Sequence, residues 1–233
     1  MIYHMKAFKH IKHIAYAGMD GLILYFAGEI GPANQRIQQY MQAISYDKPD
    51  WLKSLIPSYD TLLVCFDCFK VDSHFVYQYL ANLEIESSFT SDSSHHHIPV
   101  WYDCPQTSDF EQIKNQTGLE KNEVIELHTA YTLQVFAVGF APGFAYMGEL
   151  VDELVCPRLA TPRKQVPQGA VAIAEKQAAI YPFSSPGGWN LIGLCPWYHN
   201  LSDPGDLPEF SVGDRVSFYS VNEKQYGEIV NDK

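Results

Sequence analysis

Basic charge is scarce in this chain: 16 lysines and arginines stand against 27 aspartates and glutamates in 233 residues, a formal net charge of −11. That balance argues against a polyanionic partner such as nucleic acid or an anionic membrane surface. No stretch is long and apolar enough to span a bilayer. Residues 1–20 mix lysine and histidine with short apolar groups and lack the apolar core of a secretory signal. Cysteine is confined to positions 65, 68, 104, 156 and 195. An odd, scattered set without an export signal reads as reduced thiols, and the expected location is the cytoplasm.

Several self-contained motifs are missing too. No G-x-G-x-x-G follows a strand pattern, which removes the simplest dinucleotide fingerprint. Gly143 and Gly148 have P-loop spacing, but the lysine and hydroxyl positions hold Glu149 and Leu150, and a carboxylate there repels phosphate. Cys65 and Cys68 form a C-x-x-C pair with no second pair to complete a zinc site. No G-x-S-x-G elbow surrounds Ser184 or Ser185.

What is present is rhythm. Residues 13–16 and 22–26 flank Gly18-Met19-Asp20-Gly21, a hairpin signal. Ile37, Tyr40, Met41 and Ile44 then recur at helical spacing after Gly31-Pro32. Residues 51–57 and 61–66 predict a second hairpin, and Asp72 or Ser73 caps a helix carrying Val76, Tyr79, Leu80 and Leu83. Two hairpins alternating with two helices predict an α+β domain over residues 1–86. The serine-rich segment 87–97 reads as an interdomain linker, and its His95-His96-His97 as solvated residues too loosely tethered to preorganise a metal site.

Residues 98–233 form the second predicted domain. A strand at 98–102 precedes a helix capped by Ser108 and stopped by Gly118, and a helix over 120–127. From Thr132 short apolar runs alternate with Gly/Pro turns, which predicts a closed or nearly closed β-barrel. Near its end, Val216 and Phe218 alternate onto one face.

Glycine and proline are densest over 135–148, 157–167 and 184–193, and the functional site is expected there. Arg158, Arg163 and Lys164 lie on proline-stiffened backbone; they read equally as an anion site and as surface charge. Ser185, Gly187 and Gly188 suggest a backbone nest for an oxyanion, with Trp189 as its wall or as core. Gly143 is a candidate for backbone contact with substrate or phosphate. His128, before the glycine-rich strand, reads either as a general base or as a helix C-terminal residue favoured by the macrodipole.

These residues carry a family resemblance. Gly139-Phe140-Ala141-Pro142-Gly143-Phe144, the segments 157–163 (PRLATPR) and 166–171 (VPQGAV), and 181–193 (YPFSSPGGWNLIG) resemble the family of the 5-oxoprolinase B subunit, PxpB. That family includes the kinase inhibitor KipI and allophanate hydrolase subunit 1. Glu126-Leu127-His128-Thr129 and Val212-Gly213-Asp214-Arg215-Val216 also match, while Ala145 departs from a common proline. The resemblance implies an α+β domain followed by a cyclophilin-like β-barrel. It also implies two partners in a 5-oxoprolinase complex, the homologous C subunit with the A subunit. Together they would hydrolyse 5-oxo-L-proline to L-glutamate using ATP with Mg²⁺. On that resemblance the expected catalytic residues are His128, Arg158 and Arg163. Gly143, Lys164, Ser185, Gly187, Gly188 and Trp189 are the expected binding residues. Two other family functions remain open: inhibition of a sensor histidine kinase, and allophanate or urea amide hydrolysis.

Overall fold

The computed structural model describes residues 8, 10–85, 93–201 and 203–232. The chain divides into two compact units, residues 1–92 and 93–233.

In the first unit, β1 (Ile11–Tyr16) and β2 (Gly21–Phe26) form an antiparallel hairpin followed by α1 (Ile30–Asp47). A second hairpin, β3 (Leu52–Pro57) and β4 (Thr61–Phe66), is followed by α2 (Ser73–Asn82). The four strands make one sheet in the order β1-β2-β4-β3. Strand alternation buries Leu22, Leu24 and Phe26 of β2 with Leu62, Val64 and Phe66 of β4 on one face. The helices cover that face with Ile37, Tyr40 and Ile44 from α1 and Val76 and Leu80 from α2. Asp72 caps α2, its carboxylate accepting from the Phe75 backbone N–H at 2.8 Å.

The second unit contains β5 (His95–Val100), α3 (Phe110–Thr117), α4 (Lys121–Ala130), β6 (Leu133–Val138) and β7 (Ala145–Gly148). These are followed by β8 (Arg163–Val166), β9 (Ala170–Ala174), β10 (Gln177–Ile180), β11 (Ser185–Gly187), β12 (Asn190–Leu194), β13 (Arg215–Ser220) and α5 (Glu223–Asn231). Seven strands form a sheet in the order β12-β9-β10-β7-β6-β13-β5. A bridge between Trp101 and Leu194 brings its two edges together, so the sheet is nearly closed into a barrel. Strands β8 and β11 make a separate two-stranded ribbon.

Strand β9 shows how side-chain size shapes the barrel. All five of its residues are buried. Val171 and Ile173 enter one core cluster with Val135, Met147 and Phe218. Ala170, Ala172 and Ala174 point to the other face and join Phe144, Tyr181 and Trp189 in a second cluster. Alanines on that side leave room for three large rings, so the second face becomes an aromatic layer rather than an aliphatic one.

The linker expected over 87–97 is corrected at its C-terminal end. His95, His96 and His97 lie in β5, in parallel register with Arg215, Val216 and Ser217 of β13. Their polarity concealed a strand because two of the three side chains face outward, where apolar residues are not required. Residues 86–92 lie outside the described residues. The helix read from a Ser108 cap has Asp109 at its N-cap position and ends at Gly118 in the left-handed conformation. The C-terminal helix α5, capped reciprocally by Asn222 and Gln225, has no counterpart among the elements expected from sequence. No helix among the described residues is long and apolar enough to cross a membrane.

Candidate functional site

The ribbon and the aromatic layer assemble a compact face on the second unit. Arg163, the first residue of β8, donates from Nη2 to Asp109 Oδ1 and from Nη1 to the Trp189 carbonyl at 3.2 Å. Asp109 stands at the N-cap of α3 but makes no side-chain cap there. Its carboxylate is turned to Arg163, and its second oxygen accepts from the Leu191 backbone N–H at 2.6 Å. Leu191 returns a carbonyl to the Asp109 N–H at 2.8 Å. One acidic residue thus ties α3, β8 and the start of β12 together, and so fixes Trp189 between them.

Trp189 is buried. The Arg158 guanidinium lies over its ring, 5.7 Å from the centroid, in a cation–π arrangement. Tyr146 and Phe144 stand at 6.0 and 6.2 Å from the same ring, and Tyr181 makes an edge contact with Phe144 at 5.5 Å. Burial pushes the Tyr146 phenol above its ordinary pKa, with the nearby Arg158 charge acting against it. Burial raises Tyr181 likewise, opposed by a hydrogen bond with the Trp189 backbone and by the Arg158 and Arg163 charges. Both phenols are therefore neutral at physiological pH. Among the described residues neither Arg158 nor Lys164 pairs with a carboxylate. The exposed Arg158 guanidinium, seated over a buried indole, offers this face a group that binds carboxylates.

The residues read from sequence separate into two groups. Arg158, Arg163, Ser185, Gly187, Gly188 and Trp189 come together here. Lys164 follows Arg163 in β8, and alternation turns it to the opposite, exposed side. Gly143 lies in the β6–β7 turn with φ at +74°, and a Cβ there would meet Leu207 Cδ1 at 2.9 Å. Its neighbour Phe144 carries that turn into the aromatic layer.

Two expectations are corrected. The nest at 185–188 does not form. Ser185 and Gly187 pair with Val166 and Arg163 in the ribbon, and neither Gly187 nor Gly188 has positive φ, which a nest of successive amides requires. Gly187 is small for another reason: a Cβ there would lie 2.4 Å from the Tyr181 hydroxyl. His128 does not reach the face. It is 1% exposed in α4 and stacks on Phe218 at 4.3 Å, with Nδ1 2.7 Å from the Tyr102 hydroxyl. Burial drives its pKa down to about 3. A sealed imidazole of so little basicity does not fit a general base for water.

Asp109, Tyr146 and Tyr181 escaped the sequence reading. Tyr181 lies within the quoted motif 181–193, and Tyr146 within the glycine-rich run. Asp109 gave no usable signal, because beside Ser108 it reads as an ordinary helix-start residue.

The combination of a nearly closed barrel, an arginine-bearing ribbon and Gly/Pro-rich turns has known relatives. The chain belongs to the carboxyltransferase domain family, subdomains C and D, whose family model matches residues 12–205, and within it to the family of the 5-oxoprolinase B subunit. It is 30% identical over 230 residues to the 5-oxoprolinase B subunit of Bacillus subtilis (strain 168), covering 91% of this chain and 94% of the relative. It is 41% identical over 143 residues to the 5-oxoprolinase B subunit of Escherichia coli O157:H7, covering 60% and 62%. Kluyveromyces lactis urea carboxylase shares the fold alone, with a TM-score of 0.74 at 16% identity; the match covers 94% of this chain and 22% of that one. The match thus extends over nearly the whole of a relative named as a subunit, and the fold recurs as a segment of a much longer chain.

Proposed function

We propose that this chain is the B subunit of a cytoplasmic, ATP-dependent 5-oxoprolinase, opening 5-oxo-L-proline to L-glutamate together with the homologous C subunit, while the A subunit completes the complex. Similarity over 94% of the length of the Bacillus subtilis relative supports this reading. The observation that carries it in the structure is the Arg158–Trp189 pair. The exposed guanidinium of Arg158, held in place over the buried indole, meets the carboxylate of the lactam. The Tyr146 and Tyr181 phenols are donors for the lactam oxygen, where negative charge gathers as the amide is activated. The barrel is assigned as cyclophilin-like on the same family grounds.

This chain's residues do not fit a complete site for ATP with Mg²⁺. Glu149 and Leu150 occupy the positions where a P-loop needs lysine and a hydroxyl. The Arg163 guanidinium is committed to Asp109 and the Trp189 carbonyl. Arg158 and Lys164 remain as cations, too few for a triphosphate. The nucleotide is therefore assigned chiefly to the partner subunits, and the isolated chain is expected to be inactive.

The test is reconstitution. The chain, co-expressed with its candidate A and C partners, should release glutamate from 5-oxoproline only with ATP present, and the chain alone should release none. An assembled complex without that activity, or full activity of the isolated chain, would overturn the reading.

A further inference from the structure

His95, His97 and Ser217 lie outside the site described above, and the proposed function uses none of them. Strand β5 runs parallel to β13 with His95 opposite Arg215 and His97 opposite Ser217. Alternation along both strands puts these four residues on one face. The Ser217 Oγ stands between the two imidazoles, 3.1 Å from His95 Nε2 and 2.9 Å from His97 Nδ1. The ring centroids are 4.2 Å apart and tilted by 39°. Both histidines are exposed. His96 turns to the other face, where its Nε2 meets the buried Asp214 carboxylate at 2.9 Å, so it takes no part.

Two ring nitrogens converging on one hydroxyl oxygen form a ready donor set. Imidazole nitrogen suits zinc and copper, whereas magnesium and calcium require oxygen ligands. We propose that His95 and His97 bind one divalent transition-metal cation of the zinc or copper class on the outer face of β5 and β13, with Ser217 or water completing the coordination. A hydrogen-bonded strand holds both rings in place before the ion arrives, which lowers the ordering cost. The Arg215 charge on the same face opposes a dication and lowers the affinity. Because Ser217 belongs to β13, the ion ties the first strand of the unit to its last.

Titration of the full chain with Zn²⁺, and separately with Mg²⁺, tests this by calorimetry and by thermal unfolding. One saturable zinc site and a zinc-dependent rise in unfolding temperature are expected, with no response to magnesium. His95→Ala and His97→Ala should each weaken zinc binding at this site by about tenfold or more. Arg215→Ala should strengthen it, and His74→Ala should leave it unchanged. Zinc taken up by Cys65 and Cys68 persists in the histidine variants and is distinguished in that way. Absence of a saturable zinc site, or zinc binding identical in the chain and both histidine variants, would overturn the proposal. Neither result depends on 5-oxoprolinase activity.

Discussion

The Asp109 carboxylate holds the Arg163 guanidinium on one oxygen and the Leu191 backbone amide on the other. This pairing converts a helix-start residue into the anchor of the candidate site. Arg163 is thereby a positioning residue: it grips the Trp189 carbonyl while Arg158 covers the ring.

Removal of either partner should cost stability as well as order. The pair is only partly exposed, with side-chain accessibilities of 30% for Arg163 and 16% for Asp109. It therefore falls between exposed and fully buried ion pairs, and Asp109→Ala or Arg163→Ala should each destabilise the second unit by about 2 kcal/mol. The double variant should cost clearly less than the sum, as urea unfolding of all four proteins would show.

Arg158→Ala should do the reverse, with little effect on folding and a large effect on function. Arg158 is exposed, and its contact with Trp189 is worth less than about 1 kcal/mol. The reconstituted complex should lose about tenfold or more in kcat/KM for 5-oxoproline, as expected for a lost charge-assisted contact. An unchanged kcat/KM would remove Arg158 from substrate binding.

Gly187→Ala tests the fit of the aromatic layer. The added Cβ would sit 2.4 Å from the Tyr181 hydroxyl and 2.8 Å from Cζ, so the phenol must move. Overpacking of this kind costs about 1–3 kcal/mol. The combined change Gly187→Ala and Tyr181→Phe should recover part of the loss, measured by thermal unfolding.

His128 predicts a pH dependence of folding. Its pKa falls from 6.5 to about 3 on burial, so the unfolded chain binds the proton first. The stabilising effect is complete above pH 6.5 and is lost as pH falls toward 3, at about 1.4 kcal/mol per pH unit. Between pH 6.5 and 5, before most carboxylates titrate, His128→Gln should flatten the urea-unfolding midpoint against pH. An unaltered slope would show that another group dominates.

Periodic signals in the sequence identified the elements that have one exposed and one buried face. Ile37, Tyr40 and Ile44, chosen by helical spacing, are the buried stripe of α1, and Val216 and Phe218 are the buried face of β13. Elements outside that logic are not legible in this way. The histidine half of β5, residues 95–97, and β11, Ser185-Pro186-Gly187, lack a strand-like composition; pairing with β13 and β8 forms them, whereas the strand expected from residue 98 is present. Glycine at 187 reads as part of a nest, whereas its small size is required by the Tyr181 hydroxyl, from a residue six positions earlier. The fate of His128 also depended on tertiary packing, because only the stack on Phe218 and the contact with Tyr102 reveal which way α4 faces.

The place of β13 has a consequence for how the protein is made. It is inserted between β6 and β5, yet it is the last strand among the described residues. A growing polypeptide therefore emerges from the ribosome with β5 and β6 each lacking a neighbour until residues 215–220 are synthesised. The first unit has all its strand and helix partners within residues 11–82 and can settle during translation. The second unit must wait for nearly its full length. During that interval its two unfilled edges expose unpaired backbone groups to other chains.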